Sequence, residues 1–175
     1  MELIHASQPE ARVLPALVIS CVFGVLGWLS RGVTFPGLVA GTLVGFAIYV
    51  GLGLGGFATL FGVFALTWLT TRIGHARKRQ LGVAENKRGR TARQVLANIV
   101  AAAMFALLAL RFGPVCAVAA VASLAEAAAD TVSSELGEVL SSRPRLITSW
   151  RPVAAGTNGA VSAGGTLAGL AAAVA

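Results

Sequence analysis

Long apolar runs dominate the chain, and short polar or glycine-rich segments separate them. Each run approaches the roughly 20 residues that a helix needs to cross the hydrocarbon of a bilayer. The boundary between the second and third runs consists mainly of glycines from Gly51 to Gly56. The pattern predicts an all-α polytopic membrane bundle of about six transmembrane helices, near Val13–Leu29, Val33–Val50, Gly55–Thr71, Gln94–Leu110, Pro114–Leu140 and Gly159–Ala175.

Composition supports a membrane protein and excludes several classes of soluble enzyme. Of 175 residues, 56% are hydrophobic and 12% are charged, and the mean hydropathy is +0.79, whereas about a quarter of the residues in soluble domains are charged. We therefore expect a single integral membrane domain over residues 1–175. No G-x-x-x-x-G-K-[ST] phosphate loop occurs, and His5 and His75 are too few for a histidine-based metal site.

Basic residues are concentrated in one connection, residues 72–93, which we expect to be a cytoplasmic loop. Counting spans outward from it also puts Arg31 and a second loop, residues 141–158, in the cytoplasm, so that 12 of the 14 Lys and Arg residues lie inside. The N-terminus is then outside, and the protein is expected in a prokaryotic plasma membrane. The basic residues of the first loop are Arg72, Arg77, Lys78, Arg79, Lys87, Arg88, Arg90 and Arg93.

The fifth apolar run carries four carboxylates in its second half, namely Glu126, Asp130, Glu135 and Glu138. A charged carboxylate at the bilayer centre costs roughly 2.5 to 3.5 kcal/mol, so these residues indicate a function. Glu126 and Asp130 are four residues apart and share one helix face with Ser134, which suits a hard cation with oxygen ligands. The sequence therefore predicts a metal or phosphate site here.

Two further segments have the composition of an anion site. The basic loop contains Gly82, Gly89 and the pair Glu85–Asn86, which a topology signal alone would not need. Glycine permits close backbone approach, and several cations neutralise a polyphosphate. After the carboxylates, the string G-T-N-G at residues 156–159 is expected to open the last helix, with Thr157 or Asn158 as its N-cap and free N–H groups for an anion.

Three strings of this chain stand out together: G-V-A-E-N-K-R-G-R-T-A-R-Q-V-L-A-N (82–98), L-A-E-A-A-A-D-T-V-S-S-E-L-G (124–137) and P-V-A-A-G-T-N-G-A-V-S (152–162). In this order they resemble the motifs of a known family, the multi-pass prenyl-phosphate kinases. That family includes the chloroplast phytyl-phosphate kinase, bacterial and archaeal relatives and the animal transmembrane-protein-19 group, also described as domain-of-unknown-function-92 proteins. The resemblance is close over about 70–165. Family members usually continue beyond the G-T-N-G segment, which favours a homo-oligomer.

The resemblance implies transfer of the γ-phosphoryl group of a nucleoside triphosphate, CTP in the first place, to an isoprenoid monophosphate such as phytyl, geranylgeranyl or farnesyl phosphate. Such transfer depends on Mg²⁺ and on basic side chains that neutralise charge. A monophosphate already carries about −1.5 to −2 charge, so no general base is required. The bilayer is expected to hold the isoprenoid tail, and no nucleic-acid partner is expected.

Residue roles follow from the motifs. Glu126, Asp130 and Arg90 are the expected catalytic residues, with Glu126 and Asp130 as Mg²⁺ ligands. Glu135 either binds the metal as well or pairs with Arg88 or Arg90, because nine helical steps turn it nearly opposite Glu126. The residues expected to bind substrate or nucleotide are Lys78, Glu85, Asn86, Lys87, Arg88, Arg93, Asn98, Ser134, Thr157, Asn158 and Ser162.

Other function classes remain open from the sequence alone. Intramembrane carboxylates and glycine-broken spans also occur in ion-coupled or proton-coupled transporters. A lipid-phosphate cytidylyltransferase would need the same metal, nucleotide and membrane, but it would release pyrophosphate instead of nucleoside diphosphate. A purely structural membrane protein would tolerate Asp130→Asn.

The predicted orientation can be tested by chemical labelling. A cysteine placed at position 80, inside the basic loop, should react only with a reagent that reaches the cytoplasm, because positively charged loops are retained there. Labelling from the external side would contradict the whole arrangement of spans.

Overall fold

The computed structural model describes residues 9–73, 89–141 and 143–175, and its architecture there is α-helical. The first four helices are long and apolar enough to cross a membrane. The predicted polytopic helical fold is therefore confirmed. The helices are α1 (Pro9–Leu29), α2 (Phe35–Arg72), α3 (Ala92–Phe112), α4 (Pro114–Leu140) and α5 (Ala163–Ala173), and α4 and α5 are joined through the short strands β1 (Arg145–Leu146) and β2 (Ala160–Val161).

Helix α2 is interrupted at Gly53, whose backbone is not helical (φ 70°, ψ −161°). The two arms of α2 pack against each other, because a Cβ on Gly45 would lie 3.7 Å from Cδ2 of Leu60. In an unbroken helix these residues would be about 22 Å apart. The rings of Tyr49 and Phe57 are also in contact, with centroids 5.8 Å apart. The arms correspond to the second and third predicted runs, and the glycines mark their boundary as expected.

Arg12 satisfies the backbone at this interruption. Its Nη1 atom donates to the carbonyl oxygens of Val50 and Gly51, both at 3.4 Å. Carbonyls at the end of a helix lack an intrahelical partner, and hydrocarbon offers none. The charge pattern alone places Arg12 on the side of the membrane that has few basic residues. Its bonds to these two carbonyls explain why an arginine occurs there.

The sixth predicted span is not confirmed. The described helix in this region, α5, has 11 residues, which is about 16 Å and shorter than the roughly 30 Å of bilayer hydrocarbon. The first residues of the predicted span form a turn and strand β2, since Ala160–Val161 pairs antiparallel with Arg145–Leu146.

The described chain forms two compact units. The first, residues 9–61 and 89–124, has a core of small and aliphatic side chains in which Ala16, Ile48, Ala102 and Ala106 are fully buried. The second comprises residues 62–73, 125–141 and 143–175, and it contains the later part of α4 and all of α5. Glu126, Asp130 and the G-T-N-G segment all belong to the second unit.

Within the first unit, the α1–α2 connection pairs with the end of the basic loop. Thr34 N–H donates to the carbonyl of Arg90 at 3.0 Å, and Arg90 N–H donates to the carbonyl of Gly32 at 2.9 Å. Gly89 makes the approach possible, because its φ is +79° and a Cβ there would lie 2.8 Å from the carbonyl oxygen of Arg31. The predicted topology requires both connections to lie on the same side of the membrane, and this contact agrees with it.

Gly89→Ala should destabilise the protein by about 1 to 3 kcal/mol, because alanine is strained at positive φ and its Cβ would collide with the 31–33 backbone. The expected result is a lower melting temperature in mild detergent. Gly41→Ala is the matched control, since a Cβ at this helical position meets nothing within 4 Å, and it should not lower the melting temperature. Equal melting temperatures for Gly89→Ala and the unchanged protein would contradict the packing described.

Candidate functional site

The carboxylate pair lies on one face of α4, as predicted. Glu126 and Asp130 are both exposed, and α4 is helical from Pro114 to Leu140. At about 100° per residue, Glu126, Asp130, Ser133, Ser134 and Gly137 fall within an arc of about 100°. The Ser133 hydroxyl donates to the carbonyl of Asp130 at 3.0 Å, one turn back along the helix. The polar face thus continues from the carboxylates toward the carboxyl end of α4.

Glu135 occupies a different position on α4. It is half-buried, and its Oε1 lies 3.1 Å from the hydroxyl of Thr71, which donates to it. Among the residues that the structure describes, no group of three or more His, Cys, Asp or Glu side chains is placed to hold a metal ion. The role of Glu135 as a third metal ligand stays a prediction, and its observed contact fastens the end of α2 to α4 within the second unit.

A polar pocket of about 310 Å³ lies beside the end of this α4 face. One wall is formed by α4 and the other by the glycine-rich segment before α5. Four predicted site residues line it, namely Ser134, Thr157, Asn158 and Ser162, together with Ser133, Gly137, Glu138, Pro144, Ala155, Gly156, Gly159, Ala160, Val161, Gly165 and Thr166. The structure therefore brings two of the three sequence motifs to one cavity.

The G-T-N-G segment forms a tight turn in this wall. Gly156 and Gly159 have φ values of +80° and +77°, a conformation that glycine adopts without strain. The Thr157 hydroxyl donates to the carbonyl of Ala154 at 2.7 Å, and Ala160 N–H donates to the carbonyl of Thr157 at 3.0 Å. These bonds hold residues 154–160 in one conformation at the pocket edge.

The predicted helix start was wrong. Neither Thr157 nor Asn158 is the N-cap of α5; that residue is Ser162, whose hydroxyl accepts from Gly165 N–H at 3.1 Å. Residues 156–159 form a turn because two of them are glycines at positive φ, and the following two residues pair as β2. The anion site expected at Thr157 and Asn158 therefore cannot rest on a helix start, although both residues line the pocket.

Helix α5 packs closely on the same stretch of α4. A Cβ on Gly165 would lie 2.6 Å from the carbonyl oxygen of Ser133, and one on Gly169 would lie 2.8 Å from the carbonyl oxygen of Ala129. Glycines at this spacing let two helix backbones approach. Their packing brings Ser162 next to Gly137, where a Cβ would lie 3.3 Å from the serine hydroxyl, and this contact closes one side of the pocket.

The predicted site residues Arg90, Arg93 and Asn98 belong to the first unit. Arg90 is half-buried and its backbone is held by residues 32–34, whereas Arg93 is exposed and Asn98 half-buried on α3. Thr91 caps α3 in a capping box with Gln94. The remaining predicted residues, Lys78, Glu85, Asn86, Lys87 and Arg88, lie outside the residues that the structure describes.

Sequence reasoning assigned no role to Glu138 or Thr166, which also line the pocket. Glu138 is one of the four carboxylates of the fifth apolar run and directly follows Gly137, so the sequence pattern could have marked it as a candidate site residue. No sequence pattern indicated Thr166, because its position in the pocket lining depends on helix α5 beginning at Ala163 instead of near Gly159.

Comparison with known proteins shows relatives over most of the chain. An uncharacterized membrane protein of Methanocaldococcus jannaschii is 33% identical over 95% of this chain and 69% of its own length. An uncharacterized membrane protein of Synechocystis is 36% identical over 76% of the chain and 54% of its length. The chloroplastic protein VTE6 of Arabidopsis thaliana is 31% identical over 97% of the chain and 53% of its length.

The chain thus spans between about half and two thirds of the length of these relatives. No solved structure matches it. The family described as Integral membrane protein DUF92 matches residues 18–175, which include all three motifs, the carboxylate face and the pocket. This protein is therefore an integral membrane protein and a member of the DUF92 family.

Proposed function

We propose that this protein is a prenyl-phosphate kinase, which transfers the γ-phosphoryl group of CTP or another nucleoside triphosphate to an isoprenoid monophosphate at the cytoplasmic face of the membrane. The observation that carries the proposal is the polar face of α4, on which the exposed Glu126 and Asp130 continue into the serines of a polar pocket. A membrane helix that serves only for packing would not need such a face, because charged side chains are costly in a membrane-spanning helix.

The carboxylate pair fits Mg²⁺. This ion is usually bound by one or two protein carboxylates, and the phosphates of the substrate and water supply the other oxygens. Glu126 and Asp130 are one turn apart, and both are exposed, so they would hold the ion with open positions left for phosphate. When bound, Mg²⁺ supplies charge neutralisation on the phosphoryl oxygens.

The pocket suits the nucleotide. The side chains of Ser134, Asn158 and Ser162 can donate to phosphate oxygens or to a ribose and base. The Thr157 hydroxyl donates to the carbonyl of Ala154, so it is available to a ligand as an acceptor. Gly156 and Gly159 line the pocket, and because glycine has no Cβ, a ligand can approach their backbone closely. We therefore assign nucleotide binding to this wall of the second unit.

The reaction needs positioning more than acid–base chemistry. An oxygen of the isoprenoid monophosphate attacks the γ-phosphorus, a new P–O bond forms, and the bond from the γ-phosphorus to its bridging oxygen breaks to release nucleoside diphosphate. The attacking oxygen is already deprotonated for most of the time near neutral pH, so no side chain must remove a proton. Basic side chains of residues 72–93 are proposed to neutralise the phosphates.

The comparisons support a lipid-linked substrate. The chain belongs to an integral membrane family, and a chloroplastic protein is among its relatives, in keeping with the resemblance to the chloroplast phytyl-phosphate kinase. An isoprenoid tail partitions into the bilayer, and its phosphate lies at the surface. A kinase for such a substrate is therefore expected to work at the membrane.

The proposal is tested by incubating the purified protein with Mg²⁺, labelled CTP, ATP or GTP, and phytyl, geranylgeranyl or farnesyl monophosphate. A kinase yields nucleoside diphosphate and prenyl diphosphate in equal amounts. Release of pyrophosphate with a cytidylylated lipid would instead identify a cytidylyltransferase. If no nucleotide is consumed with any of the prenyl phosphates, the kinase proposal fails.

Asp130→Asn should lower kcat by orders of magnitude, because it removes an anionic oxygen proposed to bind Mg²⁺ and keeps the size of the side chain. Extraction and elution in mild detergent should be unchanged, since Asp130 is exposed. Glu10→Gln is the matched control, because Glu10 is an exposed carboxylate at the start of α1. Normal turnover in both Asp130→Asn and Glu126→Gln would exclude the metal site.

Arg90→Gln should raise the KM for nucleotide or lower kcat by about tenfold or more, because a hydrogen bond to a charged group contributes roughly 1.5 to 3 kcal/mol. The backbone bonds of Arg90 to Gly32 and Thr34 do not involve the side chain, so the fold should persist. Arg111→Gln, which also removes one arginine charge, should leave the kinetics unchanged. Unaltered kinetics in Arg90→Gln would limit this residue to orienting the loop.

A further inference from the structure

Beyond the nucleotide pocket, the second unit has an exposed turn that the proposed reaction does not use. We name residues 143–151 the arginine turn. Its sequence, R-P-R-L-I-T-S-W-R, contains three arginines, and no Asp or Glu follows Glu138 in the chain. The side chains of Arg143, Arg145 and Arg151 are all exposed, so the turn is a local concentration of positive charge.

Two large apolar side chains project from the same turn. Ile147 is 59% exposed and Trp150 is 64% exposed. Covering these apolar side chains would be favourable, because it removes their surface from water. Tryptophan combined with arginine is typical of the interface between lipid and water. There the indole ring lies among the headgroups, and the guanidinium groups contact lipid phosphates.

The turn has a defined conformation. Arg145 Nη1 donates to the carbonyl of Trp150 at 2.7 Å, and Trp150 N–H donates to the carbonyl of Leu146 at 2.8 Å. Trp150 has a φ of +53°, which is uncommon for a residue other than glycine. The exposed tryptophan is therefore held in place by the backbone of the turn.

The chain places this turn within reach of the membrane surface. Arg143 is three residues beyond the end of α4 at Leu140, a distance of at most about 11 Å. Leu140 itself is 61% exposed, as expected for a residue that contacts lipid at the end of a membrane-spanning helix. The turn then returns to the start of α5 through the pairing of β1 with β2.

From these observations we infer that the arginine turn is an anchor for anionic phospholipid, in which Ile147 and Trp150 enter the headgroup layer and the arginines contact lipid phosphates. A second copy of this chain is a poorer partner for the three arginines, because the protein has 14 basic against 7 acidic residues and a net charge of +7. The surface of the bilayer carries the complementary charge.

The anchor would also position the pocket. Ile147 N–H donates to the carbonyl of Gly159 at 3.0 Å, and Gly159 lines the pocket. Contact of the turn with lipid headgroups would therefore hold the glycine-rich wall at the depth where a lipid-linked phosphate lies. The lipid contact itself does not depend on the kinase proposal, because it uses neither the carboxylates nor a nucleotide.

Tryptophan fluorescence of the full chain in nanodiscs tests the inference. Trp28→Phe and Trp68→Phe leave Trp150 as the single tryptophan of the three in the chain. We expect strong quenching by phosphatidylcholine brominated near the headgroup and weak quenching by aqueous acrylamide. Phosphatidylglycerol added to the brominated phosphatidylcholine should increase the lipid quenching, because it adds the anionic headgroups that the arginines contact.

Charge variants separate lipid recognition from simple apolar insertion. Arg143→Gln combined with Arg151→Gln should abolish the increase caused by phosphatidylglycerol, whereas the control Arg111→Gln should retain it. Arg145 is kept in all variants because it bonds the backbone of the turn. Full acrylamide quenching of Trp150 with no lipid quenching would overturn the anchor. Lipid quenching that is independent of phosphatidylglycerol would overturn the recognition of anionic lipid.

A second measurement guards against a single-tryptophan protein that does not fold. The unchanged protein and its Trp150→Phe variant are compared with all other tryptophans present, and the difference between their spectra isolates Trp150. A difference spectrum that responds to brominated lipid supports the anchor, and one that responds only to acrylamide refutes it.

Discussion

Hydrocarbon offers no hydrogen-bond partner, so a break inside a membrane-spanning helix needs a polar partner from elsewhere in the protein. Where α2 breaks at Gly53, the guanidinium of Arg12 bonds the last carbonyls of the first arm. At the α1–α2 connection, which is predicted to lie at the cytoplasmic surface, the backbone pairs with that of Arg90. In both places, backbone groups without a helical partner bond another part of the protein. The positions of these partners therefore determine which loops lie together.

Backbone geometry distinguishes structural from chemical residues within the recognised motifs. In the basic motif, Gly89 permits a backbone approach and Thr91 caps α3. In the third motif, Gly156 and Gly159 form a turn and Ser162 caps α5. These five motif residues therefore fix local backbone geometry. The residues of these motifs without such a structural role, including Asn158 and the side chain of Arg90, are the better candidates for ligand contact.

Helix α5 is short, and this is important for the site. A helix that began near Gly159 would have replaced the turn and strand β2 with regular backbone. Instead, Gly165 and Gly169 bring α5 against α4, and residues 155–162, which form the turn and strand β2, line the pocket beside the α4 serines. The result is a polar cavity beside the carboxylate face. Close glycine packing in lipid thus supports both the fold of the second unit and the cavity proposed to bind nucleotide.

The features that the sequence alone determined depend on interactions within one segment of the chain. Runs of apolar residues predict membrane helices, four-residue spacing predicts that Glu126 and Asp130 share a face, and the glycines near Gly53 mark a boundary, because helical periodicity and backbone freedom depend on neighbouring residues. The N-cap at Ser162, the hydrogen bond of Thr71 to Glu135 and the meeting of Ser134 with Asn158 at one pocket were decided only by the tertiary structure. These contacts join residues on different elements, so their existence depends on how backbones pack, which no local spacing records.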